Sequence, residues 1–215
     1  MTAILEEIAA GGEGMGLVLA GRRGLLLRRL GARGSAIGTG GAVMASPAPL
    51  PQASAVSFLR RRAAEAGGTI TPRAAAEVVH YARGHPFSVM RVSYALFEEG
   101  RRGMQEGPGA GKAAIRRVIR ELAPVYAGIC DGLSAHQVRV LSAVAAGEAH
   151  LYGKEAAVRC GLQPTAVSSS LRALSYRDLI ARGEGGVWQC SDPLFAGWLT
   201  EAVAGKSGTV PREAI

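Results

Sequence analysis

Between Ser134 and Leu199, apolar residues recur at helical spacing in three short segments that glycine or proline separates. The first segment, residues 136–146, follows Ser134, which favours the N-cap position, and ends at Gly147. The second, residues 154–160, ends at Gly161 in a three-residue turn. The third begins at Pro164, which suits the first position of a helix. Its inward stripe consists of Val167, Leu171 and Leu174.

Two segments with strand-like alternation follow the third helix, at residues 179–181 and 187–190. The five residues that join them include three glycines, which favour a tight connection. Three helices followed by a two-stranded hairpin are the order of a winged helix-turn-helix. The pattern therefore predicts a winged-helix domain over residues 131–200.

The outer face of the third helix is polar, with small hydroxyls, one arginine and Tyr176. Such side chains can bind phosphates and base edges, so a face of this kind favours double-stranded DNA as a partner. The candidate DNA-binding residues are Thr165, Ser168, Ser169, Arg172 and, in the wing, Arg182. However, residues 131–200 contain six basic and six acidic side chains, and a neutral domain lacks the charge that drives DNA affinity. A contact with protein, or within the chain, is the alternative.

The composition, 215 residues with 48% hydrophobic and 5% aromatic, predicts one or two globular domains with aliphatic cores. No apolar run approaches the ~20 residues of a membrane helix, and no leader pattern is present, so we expect a cytoplasmic protein and no membrane partner. The three cysteines and four histidines lack ligand spacing, which predicts neither disulfides nor a metal site. No nucleophile has a base beside it in the sequence.

The formal net charge of +8 lies almost entirely before residue 131. A basic balance is typical of proteins that bind nucleic acid. Only three of the 25 basic residues are lysines, and a GC-rich coding bias also produces an excess of arginine. The charge alone leaves both explanations open.

In the first half of the chain, the pattern of apolar residues predicts one isolated strand followed by a helical bundle. Residues 15–20 form an apolar run that is typical of a buried strand. A buried strand needs neighbouring strands, but no comparable segment follows until the predicted wing. We therefore expect residues 1–50 to pack poorly on their own. Residues 22–30 favour a basic helix, and residues 31–51 a loop. Helices are predicted at residues 51–66, 71–82 and 87–99, the last packing Met90, Tyr94 and Phe97 against its predecessor.

A linker, a connecting helix and a tail complete the prediction, at residues 101–112, 113–122 and 201–215. The linker ends in Gly107-Pro108-Gly109-Ala110-Gly111-Lys112, which superficially resembles a phosphate-binding loop. That loop needs G-x-x-x-x-G-K-[ST] after a buried strand, whereas here Glu106 takes the first position and Ala113 follows the lysine. We therefore interpret it as a chance match.

The order of these elements resembles the C-terminal half of prokaryotic AAA-like, STAND-related P-loop ATPases, the archaeal-type ATPases. The resemblance is carried by residues 15–21, the loop at 34–51, the helices around Phe58 and Val78, Gly84-His85-Pro86 and the winged helix. Residues 191–199 also look like the D-P-x-F-x-x-W-L ending of that family's winged helices.

The resemblance implies a mainly α fold in which residues 1–50 are the remnant of an α/β P-loop core. Residues 51–106 would be a helical lid, 107–130 a linker and connecting helix, 131–200 the winged helix and 201–215 a flexible tail. It implies ATP as the family's cofactor, with Gly84 and Pro86 as the lid's contact to the nucleotide, although a helix-breaking turn explains the same residues. Arg22 stands where the family has a small polar sensor residue.

The family's phosphate-binding loop and acidic magnesium strand are absent from this sequence, so we do not expect this chain to hydrolyse ATP alone. The first hypothesis is therefore a truncated or split ATP-binding protein that keeps a regulatory and interaction module. The alternatives are a stand-alone winged-helix transcriptional regulator and an ATPase subunit completed by a separate P-loop chain. A partner would be another protein, the missing ATPase half or DNA.

Overall fold

The computed structural model describes residues 47–101, 109–148 and 160–205, together with Val18, Gly21, Ala45, Leu151 and Val158. Within these residues the fold is mainly α, as predicted, with one two-stranded sheet. The order of elements along the chain is α1 Gln52–Glu65, α2 Pro72–Tyr81, α3 Pro86–Arg101, α4 Ala110–Asp131, α5 Ala135–Ala145, α6 Pro164–Tyr176, β1 Ile180–Arg182, a 3₁₀ turn Glu184–Gly186, β2 Trp188–Cys190 and α7 Pro193–Gly205.

Helix starts follow the capping residues of the sequence. The Thr71 hydroxyl accepts a hydrogen bond from the Ala74 amide, and Pro72 opens α2. Ser134 and Gln137 form a reciprocal capping box at the start of α5. The predicted starts of α2, α5 and α6 are confirmed within a residue.

The connecting helix is longer than predicted. The predicted helix has ten residues, 113–122, whereas α4 spans 22 residues and contains Pro124 in its interior. An interior proline costs a helix about 3 kcal/mol. Beyond it, Tyr126 is buried and stacks on Phe195 at 4.9 Å between ring centroids, so tertiary packing offsets that cost. Since α4 begins at Ala110, the predicted linker is also shorter than expected.

The buried face of α3 differs from the prediction. Met90 and Tyr94 are 50% and 59% exposed, so their predicted packing against α2 is wrong, while Phe97 is half-buried. The residues that face inward are Ser88, Val89, Val92, Ser93, Ala95 and Leu96. Small and branched residues allow close helix packing, which explains why this stripe faces the core.

The predicted hairpin is confirmed, displaced by one residue. β1 and β2 are antiparallel, with Ile180 opposite Cys190 and Arg182 opposite Trp188. The inward stripe predicted for α6 is also confirmed, because Val167, Leu171 and Leu174 are all buried. Only Val158 and Cys160 of the predicted second helix lie within the described residues, and both are helical.

One cluster of buried side chains runs from α2 and α3 through α4 to α5, α6, the hairpin and α7. Helix α4 contacts α2, α3 and α7, so it joins the two halves of this core. A second, smaller cluster lies between α1, α2 and the start of α3. The helices predicted as a lid therefore share a core with the segment that follows them.

Two predictions about the ends of the chain need correction. The tail was expected to begin at residue 201, but α7 continues through Gly205. Val18, the described residue of the predicted buried strand, lies outside any strand and is 91% exposed. A buried strand needs hydrogen-bonded neighbours, and the described residues supply none there. The predicted helix 22–30, most of the loop 31–51 and residues 206–215 lie outside the described part.

Candidate functional site

The described chain has a polar junction around the carboxylate of Asp192, where three elements meet. The Ser88 hydroxyl of α3 donates to Asp192 Oδ1 at 3.1 Å, and the Tyr126 hydroxyl of α4 donates to Oδ2 at 2.9 Å. The Leu194 amide donates to Oδ1 at 2.9 Å, so Asp192 also caps α7. On the far side, Ser88 Oγ lies 3.0 Å from His85 Nδ1. We call these side chains, His85, Ser88, Tyr126 and Asp192, the Asp192 junction.

A second set of contacts joins the turn between α2 and α3 to the hairpin. Arg83 donates to Gln189 Oε1 at 2.6 Å and to the Cys190 carbonyl at 2.9 Å, spanning over a hundred residues of sequence. Tyr81 donates to the Pro193 carbonyl at 3.4 Å. The turn that contains Gly84-His85-Pro86 is thus hydrogen-bonded to both ends of the segment 189–193.

Burial shapes the electrostatics of this junction. It raises the pKa of Tyr126 well above its usual value, and the charge of Asp192 and the hydrogen bond to it act in the same direction. Burial also raises the pKa of Tyr81, as do Glu201 and Asp192. The Cys190 thiol has its pKa raised from 9.0 to about 12, chiefly by burial. These groups are therefore neutral near pH 7, and Asp192 receives hydrogen bonds from uncharged donors.

The conformation of the turn explains why glycine occupies position 84. Arg83 and Gly84 both have positive φ, 49° and 69°. A β-carbon on Gly84 would lie 2.5 Å from the Leu50 carbonyl oxygen, and the Leu50 amide donates to the Gly84 carbonyl at 2.9 Å. Gly84 is buried beneath this contact, whereas Pro86 is exposed at the start of α3. Of the two predicted nucleotide contacts, Pro86 is the accessible one.

Sequence reasoning missed this junction. The D-P dipeptide at Asp192 resembled a family motif, but nothing local in the sequence pairs it with Ser88 or Tyr126, which are 104 and 66 residues away. Ser88 is buried on a helix, where a hydroxyl needs a partner, but Ser93 and Ser170 are buried in the same way, so this feature alone does not identify the junction.

The second candidate surface is the outer face of α6. Thr165, Ser168, Ser169 and Arg172 are all exposed there, as predicted, and line an open groove with Tyr176 and Arg177. Among the described residues Arg172 forms no ion pair, while Ser169 bonds back to the Ala166 carbonyl. In the wing, Arg182 lies over the Trp188 ring at 4.1 Å and donates to the Gly186 carbonyl.

Residues 131–200 contain equal numbers of basic and acidic side chains, but in the structure these side chains differ in exposure. Arg139, Arg172, Arg177 and Arg182 are exposed. In contrast, Asp192 is engaged in the junction, and Asp178 is half-buried with one oxygen that lacks a hydrogen-bond partner among the described residues. Arg177 donates to the Gly132 carbonyl at 2.6 Å and Arg139 to the Gly161 carbonyl at 3.4 Å, so these hydrogen-bond partners are neutral carbonyl groups, while the acidic Asp131 is exposed. The described surface of this region is more positive than the sequence count implied.

Two further expectations concern phosphate loops and metals. Ala110, Gly111 and Lys112 form the first turn of α4 rather than a loop. Within the described residues, no group of three His, Cys, Asp or Glu side chains could hold a metal ion. Among the helices that are described, none combines the length and apolarity needed to cross a membrane.

A comparison with solved structures finds a similar fold in a Walker-type ATPase of Pyrococcus abyssi, with a TM-score of 0.59 and 17% sequence identity. The match covers 82% of this chain and 50% of the other, so this chain spans about half the length of that ATPase structure. At this identity the similarity shows the fold alone. Neither a protein-family model nor a curated protein sequence matches this chain.

Proposed function

We propose that this chain is the lid and winged-helix part of a Walker-type ATPase system and acts as a regulatory and interaction module. Its turn at Gly84-His85-Pro86 faces a nucleotide whose phosphates are bound by a P-loop in another segment or chain. The observation that carries the proposal is the Asp192 junction, because it connects this turn rigidly to the winged helix. The fold shared with a Walker-type ATPase supports the same assignment.

The junction gives the module a way to transmit a change at the turn. Arg83 contacts the backbone of β2 directly, and Ser88 contacts the cap of α7. A ligand that displaces the turn by a fraction of an ångström alters hydrogen bonds at the base of the wing. This connection makes the winged helix the output of the module, and a protein partner or DNA the recipient.

Amide chemical shifts of the labelled protein, titrated with the non-hydrolysable analogue AMP-PNP and Mg²⁺, test the proposal. We expect saturable shifts at Arg83, Gly84 and His85 with a dissociation constant near 1 mM, since that affinity corresponds to only about 4 kcal/mol. Shifts at Gln189 and Cys190 should accompany them. No shift at residues 83–85 up to about 10 mM analogue would contradict nucleotide contact.

The matched variant is Arg83→Asn, because asparagine tolerates positive φ but cannot reach β2. In this variant the shift at His85 should remain, whereas the shifts at Gln189 and Cys190 should disappear. If the latter persist unchanged, the turn and the wing do not communicate through Arg83.

A second candidate function is binding of double-stranded DNA by α6 and the wing. It is favoured by the partial burial of Asp178 and Asp192, whereas Arg139, Arg172 and Arg182 are exposed. The hydroxyls of Thr165, Ser168 and Ser169 would contact phosphates or base edges beside Arg172. In this function the candidate residues act as a DNA-reading face.

Fluorescence anisotropy with a labelled duplex of about 20 base pairs tests this second candidate, over about 50–200 mM salt. Replacing Arg172 with alanine should weaken binding by roughly 1–3 kcal/mol if it contacts a base. Arg60→Ala is the control, because it removes the same charge from an exposed site on α1. Equal affinity for the Arg172 variant and wild type would exclude this face.

A further inference from the structure

The outer face of α4 carries an unneutralised basic stripe formed by Lys112, Arg116 and Arg120. These residues are four apart, so they lie along one side of the helix, and all three are exposed. Among the described residues none of them forms an ion pair. We call this surface the α4 stripe.

The contrast with Arg117 on the same helix shows that the missing counter-ions are specific to the stripe. Arg117 is ion-paired to both Glu99 at 3.4 Å and Glu121 at 2.9 Å, and Glu121 also binds Arg91. Glu77, which lies against Gly111 near the start of the stripe, is paired with Arg73 at 3.3 Å. Glu77, Glu99 and Glu121 are therefore already paired with other arginines.

The stripe is unfavourable for an isolated helix, since like charges four residues apart on one face repel each other. A polyanionic ligand would relieve this repulsion. Three cations at a spacing of about 6 Å extend over about 12 Å of helix. Duplex DNA carries roughly one phosphate per 1.7 Å of its axis, so several phosphates fall within that length.

The chemistry around the stripe argues against a protein partner. Protein interfaces rely on buried aromatic or large aliphatic anchors. Helical spacing places Ala123 and Ala127 between the three cations and Ala113 beside them, with the exposed Asp131 at the far end of the helix, and the exposed Val125 lies on another side. From this surface we propose that the α4 stripe binds the phosphodiester backbone of double-stranded nucleic acid without reading its sequence.

This surface is distinct from the outer face of α6, so it does not depend on DNA binding by Arg172. Arg177, which follows α6, connects the ends of the two helices, because it donates a hydrogen bond to the carbonyl of Gly132 just after α4 ends. Each surface has its own variant, and failure of one leaves the other testable.

The test compares salt-dependent binding of a mixed-sequence duplex of about 20 base pairs by wild type and by the triple variant Lys112→Gln, Arg116→Gln, Arg120→Gln. Glutamine is a good helix former, so the variant should fold, which circular dichroism checks. We expect the slope of log affinity against log salt to fall in magnitude by about 2–3, at about 0.9 per phosphate contact. Affinity at about 100 mM salt should drop by at least tenfold.

The control is the triple variant Arg60→Gln, Arg61→Gln, Arg62→Gln, which removes the same formal charge from an exposed run on α1, where Arg61 and Arg62 are ion-paired with Glu65. Its salt slope should stay within error of wild type. An equal loss in both triple variants would show an effect of net charge and overturn the proposal. Equally tight binding of poly-L-glutamate, lost in the α4 variant, would assign the stripe to acidic proteins and also overturn it.

Discussion

The Asp192 junction and the outer face of α6 use polar residues in opposite ways. At the junction, hydroxyls from two helices and one backbone amide converge on a single, half-buried carboxylate. On α6, hydroxyls and an arginine point outward, and Arg172 lacks an ion-pair partner among the described residues. The first arrangement stabilises one conformation, whereas the second leaves polar side chains exposed, although the Ser169 hydroxyl donates to the Ala166 carbonyl.

This difference separates the residues that hold the molecule together from those available for binding. Buried polar groups contribute when every partner is present and cost stability when one is removed. Exposed polar groups away from caps and ion pairs have little effect on stability. Substitutions at the junction should therefore change the free energy of unfolding, whereas substitutions on the α6 face should not. Substitutions on the α6 face should instead change binding.

Truncating Phe195 to alanine should have the largest effect. Phe195 is 2% exposed and stacks against Tyr126 of α4, beside the junction. The resulting cavity should lower the free energy of unfolding by about 3–5 kcal/mol. Because the core is continuous from α2 to α7, urea denaturation should show a single transition with an unchanged slope.

Two separate transitions, with only one displaced by the Phe195 variant, would show that helices α1–α3 and the segment from α5 to α7 fold independently. Leu171→Ala offers a comparison in the same core, since Leu171 is equally buried but lies on α6. Both variants should destabilise the same single transition.

Replacing Asp192 with alanine should have the next largest effect, a loss of about 2–3 kcal/mol. It removes the cap of α7 and leaves the hydroxyls of Ser88 and Tyr126 without their acceptor. Asp192→Asn keeps one acceptor oxygen and should lose about half as much. A loss below about 0.5 kcal/mol in the alanine variant, measured in urea, would mean that the junction contributes nothing to stability.

The two regions also differ in how far the sequence predicted them. The α6 face followed from local spacing, because Pro164 starts the helix and Val167, Leu171 and Leu174 fix which side is buried. The junction depends on residues far apart in sequence, which periodicity cannot pair. The same limit explains α3, where size favoured Met90 and Tyr94 for the core but close packing selected the smaller side chains. At Pro124 tertiary contacts overrode a local helix-breaking signal.

The free energy of unfolding at alkaline pH should depend on Cys190, and this effect should be smaller than that of replacing Asp192. Burial raises the pKa of this thiol from 9.0 to about 12, so the unfolded chain loses the proton first. The thiol's contribution is therefore complete below pH 9 and is lost as the pH rises toward 12. In Cys190→Ala the free energy of unfolding should decrease less steeply with pH over this range. Part of the decrease should remain, because the pKa values of Tyr81 and Tyr126 are also raised. An identical pH profile in the variant would show that the thiol is accessible to water.

The smallest effect on stability is expected for Arg172→Ala, within about 0.5 kcal/mol of wild type in urea. Its neighbour Leu171 is the internal contrast, because Leu171→Ala should cost about 2–5 kcal/mol one residue away on the opposite face of the same helix. If Arg172→Ala also destabilises the protein strongly, the arginine packs against the fold. That result would contradict the hypothesis that the α6 face binds a ligand. If the variant is as stable as wild type and binds duplex DNA less tightly, Arg172 contributes to binding without contributing to the fold.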